Sequence, residues 1–262
     1  MKRTLIFVCF VVFASLKVDA QQTPQFSQNM FNKLANNPGF AGSMEAICAT
    51  ALHRQQWIGF GDGRPVTTNL SVDAGIPAIY GGVGLNIVNE TIGQYDNLGL
   101  QLSYAYRTEL GNGQVGTGIS LGMYQSSLDG SSLNPANSGD PALPTADAQG
   151  SALDFGFGIY YNNEDAYIGL SSSNITEPTI EWENATTQKL VRHYYLISGY
   201  YYQVSNAISL NPSIFLKSDG VTSQLDINTN LIYDDKIWGG LSYRLGESII
   251  ILSGMNITED LK

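Results

Sequence analysis

Leu98 to Met123 carries the clearest pattern in the chain. Leu98, Leu100, Leu102, Tyr104 and Tyr106 alternate with Gly99, Gln101, Ser103, Ala105 and Arg107; after Asn112-Gly113, Val115, Thr117, Ile119, Leu121 and Met123 alternate with Gly116, Gly118, Ser120 and Gly122. A period of two on either side of Asn-Gly predicts a β-hairpin. One face of each strand is greasy and the other small or polar, which suits a wall between lipid and water. The alternation returns in Leu153, Phe155, Phe157, Ile159 and Tyr161 against Asp154, Gly156, Gly158 and Tyr160. It returns again in Leu225, Ile227, Thr229, Leu231 and Tyr233 against Asp226, Asn228 and Asn230. Read this way, strands are expected at 44–56, 66–76, 82–90, 98–109, 114–127, 151–162, 165–173, 190–204, 207–217, 223–234, 237–246 and 248–258. Residues 21–41 hold no sustained period and are expected to be extended or partly helical.

Composition narrows the class. Lys2 and Arg3, an apolar run from Leu5 to Leu16 and Val18-Asp19-Ala20 before Gln21 read as a secretory signal peptide over 1–20. Cys9 lies inside the apolar run and not at the cleavage point, so no lipid anchor is expected. Removing Lys2, Arg3, Lys17 and Asp19 leaves ten basic against 22 acidic residues, a net charge of −12, which argues against nucleic acid as a partner. One cysteine, Cys48, remains and cannot form an internal disulfide. No segment beyond the leader approaches the roughly 20 apolar residues of a membrane helix. Two classes remain, a soluble β-sandwich and an outer-membrane β-barrel.

Loop lengths separate them. Trp57–Pro65, Asn89–Asp96, Leu128–Gly150 and Asn174–Gln188 read as long connections, and Pro77–Gly81, Gly111–Gly113, Asn162–Asp165, Ser205-Asn206 and Asp234–Lys236 as short ones. In an up-and-down order every long loop falls on one rim, the asymmetry of transmembrane barrels, which a Greek-key sandwich has no reason to show. Tyr104, Tyr106, Tyr160, Tyr161, Tyr194, Tyr195, Tyr200 to Tyr202, Tyr233, Trp238 and Tyr243 sit near strand ends, where barrels keep aromatic girdles. The expected fold is all-β, an antiparallel up-and-down transmembrane barrel of about twelve strands. The expected organisation is a leader at 1–20, a periplasmic or plug segment at 21–41 and the barrel at 42–262.

Several blocks then resemble a known family. Pro24-Gln-Phe-Ser-Gln28, Met30-Phe-Asn32, Asn37-Pro38 and Ala41-Gly42 are similar to the mature opening of the PorP/SprF proteins of the type IX secretion system. Arg54-Gln-Gln-Trp-Ile-Gly-Phe60 with Pro65-Val-Thr67, and Gly82-Val-Gly-Leu85 with Ile92-Gly93, resemble its next blocks. Tyr160-Tyr161, Tyr167-Ile-Gly-Leu-Ser171, Arg192-His-Tyr-Tyr195 and Gly199-Tyr200 extend the likeness over most of the mature chain. The resemblance implies an outer-membrane barrel acting in protein secretion and gliding motility, with periplasmic ring components and secreted client proteins as partners. Family members carry about two further strands, so a shortened fourteen-stranded barrel stands beside the twelve-stranded reading.

Catalytic chemistry has little to work with. His53 and His193 are the only histidines and neither has metal-ligand spacing. A Ser–His hydrolase would need Ser198 or Ser209 beside His193, and the bland reading of His193 as a wall residue is preferred. Asp234-Asp235, Glu177, Glu181 and Glu183 read as a hydrophilic rim rather than as a cation site. Neither an enzyme nor a cofactor is expected. Two readings of function remain: a component that holds partner proteins, for which Phe26, Met30, Phe31, Arg54, Trp57 and Phe60 are the candidate contact residues, and a passive porin-like barrel, for which the small polar inner face is the argument.

Overall fold

The computed structural model describes residues 24–133, 146–182 and 188–258. The expected leader, Pro135, Asp140, Pro141 and Pro144 of the long loop, and Glu183 lie outside these residues. In chain order the strands are β1 (Ile47–Gln55), β2 (Val66–Ile76), β3 (Gly81–Ile92), β4 (Tyr95–Leu110), β5 (Gly113–Leu128), β6 (Ala148–Asn162), β7 (Ala166–Ser173), β8 (Thr179–Ile180), β9 (Gln188–Lys189), β10 (His193–Tyr200), β11 (Tyr202–Ser205), β12 (Ile208–Ser218), β13 (Ser223–Tyr233), β14 (Ile237–Arg244) and β15 (Ser248–Met255).

One antiparallel sheet runs β1-β2-β3-β4-β5-β6-β7-β10-β12-β13-β14-β15, with β11 paired to β12; β8 and β9 form a separate small hairpin. Every connection on the main path links neighbours, as an up-and-down barrel requires. Among the described residues no ladder joins β1 to β15, so each has one hydrogen-bonded neighbour. The two run in opposite directions, as in any up-and-down order with an even number of strands.

Burial is inverted relative to a water-soluble protein. On β4, Leu102, Tyr104 and Tyr106 are exposed while Ser103 and Ala105 are buried; on β13, Ile227 and Leu231 are exposed while Asp226, Asn228 and Asn230 are buried. An aliphatic surface of this extent is a liability in water and the favoured outer face in hydrocarbon.

Two departures from the sequence reading have local causes. Asn89–Asp96 is no long loop, because β3 and β4 extend to a two-residue turn at Gly93 and Gln94, with Ile92 opposite Tyr95. Both faces are polar there, so alternation could not reveal the strands. The strand expected at 190–204 is broken between β10 and β11. Ser213 pairs with Gly199 and Leu210 with Tyr202, so Pro212, which has no N–H to donate, stands at the interruption.

The other three long connections share one rim: 56–65, 129–147 and 174–192. The opposite rim carries the turns at 77–80, 111–112, 163–165 and 234–236. Residues 24–46 pass between them along the polar face. They touch β2, β4, β5, β6 and β7 on one side and β13 and β14 on the other, so the sheet curls around them. The partial helix expected there is only a 3-10 turn at Pro38–Phe40, capped by the Asn37 carboxamide, which accepts from the Gly39 N–H at 2.8 Å.

That turn sits on glycine. A Cβ on Gly39 would lie 2.8 Å from the Gly116 carbonyl oxygen and 2.9 Å from that of Gly158; one on Gly118 would overlap the Pro38 backbone. Gly118→Ala is therefore expected to lower unfolding stability by about 1–3 kcal/mol. Gly122→Ala, on the same strand and face with its nearest neighbour at 3.6 Å, is the control and should leave it unchanged. Urea titration of the refolded barrel, read as heat-modifiable gel migration, measures both; equal effects would show that the groove does not select glycine.

Candidate functional site

The interior is assembled from the inward positions of the strands and from the N-terminal segment. Pro24 and Gln25 lie at the long-loop end, where Arg54 donates to the Gln25 carbonyl at 2.7 Å. Asn29 donates to Asp226 at 3.1 Å and accepts from Asn228 at 3.3 Å. Asn32 meets Asn69 and accepts from the Ser71 hydroxyl at 2.8 Å, and Asn69 donates to Asn86 at 2.7 Å. Asn37 donates to the Ile159 carbonyl at 3.0 Å, and the Gly42 N–H donates to Asp73 at 2.9 Å. Buried amides are stable only when paired, and this segment supplies partners to Asp226, Asn228, Asn69, Ser71 and Asp73 of the wall.

One ion pair is fully enclosed. Arg244 of β14 donates to both carboxylate oxygens of Asp226 on β13, at 2.9 and 3.0 Å, with 4% and 0% of their side chains exposed. Gln224 and Asn29 donate to the same carboxylate. A bidentate pair with added donors is satisfied in a way that a lone buried charge is not.

Lys33 lies outside the strands, in the middle of the segment. Its ammonium is 3.7 Å from the centre of the Tyr167 ring and 5.8 Å from that of Phe40, with the Tyr201 hydroxyl at 3.4 Å. Burial lowers its pKa from 10.5 to about 8, and the ring faces only partly replace lost hydration.

Above the segment is a cavity of about 150 Å³, bounded by Phe26, Asn36, Glu90, Asn97, Tyr124 and Asp154 among others. Over it Ile180, Trp182 and Leu190 pack with Leu128 and Ala148 into an apolar cap on the inner side of the rim. Segment below and cap above narrow the described lumen to this cavity.

The six sequence candidates separate into two groups. Phe26 borders the cavity, Met30 is buried, Phe31 packs on Trp238 with ring centres 4.9 Å apart, and Arg54 holds the segment. Trp57 and Phe60 stand apart on the long-loop rim, 61% and 69% exposed with ring centres 5.7 Å apart, and Ile58 between them is 83% exposed. Asn32 and Asn37 entered the sequence reading only as members of family blocks and Asp226 only as part of an alternation, while Asn29, Lys33 and Arg244 were not singled out, although Asn29, Asn32, Asn36 and Asn37 crowd an otherwise unpatterned stretch. Part of the expected girdle also turns inward: Tyr160 and Tyr195 belong to a buried cluster with Tyr167, Ile197 and Phe215.

The hydrolase geometry fails. His193 faces the interior and its Nδ1 lies 2.8 Å from the Val191 carbonyl, whereas Ser198 is on the other face of β10 and donates to the Tyr167 carbonyl. Ser209 sits at the far end of β12 and donates to Gln203. Asp234 pairs with Lys236 at 2.9 Å and Glu177 with Lys189 at 3.1 Å. Among the described residues no group of three or more His, Cys, Asp or Glu is placed to hold a metal ion.

An antiparallel meander with an aliphatic outer face, a hydrogen-bonded polar interior and a narrowed lumen is a transmembrane β-barrel built to hold its own amino-terminal segment. The chain belongs to the PorP/SprF family: residues 18–262 match the type IX secretion system membrane protein PorP/SprF. No curated protein matches it in sequence.

Two outcomes follow from the interior. Arg244→Met alone should destabilise the barrel by about 3–5 kcal/mol by leaving Asp226 buried and unpaired, while Arg244→Met with Asp226→Leu should recover most of the loss. Urea unfolding of the three proteins measures it, and equal loss in single and double variants would contradict it. For Lys33 the folded pKa lies below the unfolded one, so the folded form sheds its proton first. The segment should seat more firmly as pH rises from about 8 towards 10.5. Melting temperatures across that window should rise in the parent and rise less in Lys33→Met.

Proposed function

We propose that this protein is a non-enzymatic outer-membrane component of the type IX secretion and gliding-motility apparatus. It holds or presents other proteins at the membrane, through its rims and not through a reactive centre. Family membership carries this reading. The aliphatic outer face supports outer-membrane lipid as its surroundings, and short turns on one rim support a periplasmic placement for that rim. Periplasmic ring components and secreted client proteins are the partners. A passive diffusion pore is the weaker alternative, because the 24–46 segment and the apolar cap stand in the path that a solute would take.

Phe26, Met30 and Phe31 are engaged with the interior, which leaves Trp57 and Phe60 as the aromatic pair free to meet a partner. Exposed aromatics held next to each other are the usual anchors of protein contacts. The pair also stands beyond a polar outer band in which Thr68 bonds His53 at 2.9 Å and His53 bonds Gln55 at 3.0 Å, so it clears the aliphatic zone.

The test replaces both rings. In Trp57→Ala/Phe60→Ala, release of secreted client protein into the medium should fall about tenfold, with heat-modifiable migration of the barrel unchanged. Full export from a correctly folded double variant would remove the rim pair from the reading.

A further inference from the structure

The two halves of the N-terminal segment are seated on very different ground. Residues 36–43 lie backbone against backbone in the glycine groove. Asn37, the Gly42 N–H, Arg107 and Ser171 make bonds between segment and wall there, Arg107 to the Gly39 carbonyl and Ser171 to that of Asn36. Phe26 borders the cavity and Arg54 holds the Gln25 carbonyl, while Asn29 and Phe31 rest on β13 and β14. Asn29 reaches Asp226 and Asn228, and Phe31 reaches Trp238. Between those two contacts is Asn230, which is 2% exposed and has neither amide atom bonded.

Asn230 is not alone. The Asn211 and Asn228 carbonyl oxygens and the Ser242 hydroxyl are also buried without partners. Asn211 stands opposite Asn230 and Asn228 opposite Ser242, which makes one contiguous polar shelf across three strands. Covering these particular atoms opposes the seat, because each loses water and gains no bond, although the Asn228 amide N–H keeps its bonds to Asn29 and Ser213. The same residues 24–31 also link β1 to β13 and β14 from inside: Arg54 of β1 holds the Gln25 carbonyl, while Asn29 and Phe31 hold β13 and β14.

We propose that residues 24–31 are a displaceable strap. In the state described here the strap ties β1 to β13 and β14 from inside. In the other it leaves the β12–β14 shelf and returns Asn211, Asn228, Asn230 and Ser242 to water, while residues 36–43 stay in their groove. The orphaned amides set the balance between the two, since they make the covered state costly without touching the anchor. Strap release therefore exposes the polar interior beside β13 and β14 without unfolding the barrel.

The experiment uses the refolded full-length mature protein with Cys48→Ser and one reporter cysteine, labelled with a membrane-impermeant maleimide. Ser242→Cys should be modified at a measurable rate, approaching that of a variant lacking residues 24–31. Ser171→Cys, beneath the anchor, should stay unmodified until the barrel is denatured. Adding Asn230→Leu should slow labelling of Ser242→Cys about fivefold, because an apolar shelf no longer resists being covered. Should that variant fail to show heat-modifiable migration, Asn211→Leu takes its place with the same expected sign. A Ser242→Cys as inert as Ser171→Cys, or labelling accelerated by the leucine, would overturn the strap.

Discussion

Hydrogen-bond saturation of an inward-facing polar wall governs this molecule. Lipid outside the sheet offers no donors or acceptors, so the outer face must be aliphatic and each strand must find its ladder partners within the sheet. The inner face is then free to be polar, but Asp226, Asn228, Asn69, Asn86 and Asp73 need partners once the lumen narrows around a peptide. The N-terminal segment meets most of that need with Asn29, Asn32, Asn37 and the Gly42 N–H. Where it does not, on the shelf around Asn230, the packing is least secure.

Glycine and charge occupy complementary places in this arrangement. On the short-turn half, Gly116, Gly118 and Gly158 remove side chains from the wall so that the backbone at Pro38–Phe40 can approach it directly. On the long-loop half, the wall keeps long polar side chains, and Asp226 with Arg244 neutralise each other beneath the strap. Lys33 lies between the halves with aromatic faces in place of a carboxylate. Its ammonium is consequently the titratable group of the segment whose state changes in mildly alkaline solution.

A secretion role fits a barrel of this kind physically. A lumen that is occupied and capped is poorly suited to free diffusion, while a rim carrying Trp57, Ile58 and Phe60 presents apolar surface that another macromolecule would cover. Beside β1 the segment itself lines the interior, where Arg54 holds the Gln25 carbonyl.

The strands, their two faces and the asymmetry of the rims were legible in the sequence, because a period of two is imposed locally by the pleat and by the contrast between lipid and water. The hairpin at Asn112, the alternation of β6 and β13 and most strand ends needed nothing else. Family blocks such as Arg54–Phe60 were legible as fixed spacings of uncommon residues. Tertiary structure alone decided which interior groups meet. Asn29 and Asp226 are 197 positions apart, Asn37 and Ile159 are 122 apart, and no local pattern pairs them. It also decided that Ser198 faces away from His193, that β3 and β4 run on through Asn89–Asp96, and that Tyr160 and Tyr195 join one buried cluster. Those outcomes depend on register and on closure of the wall around a peptide, and both are properties of the assembled sheet.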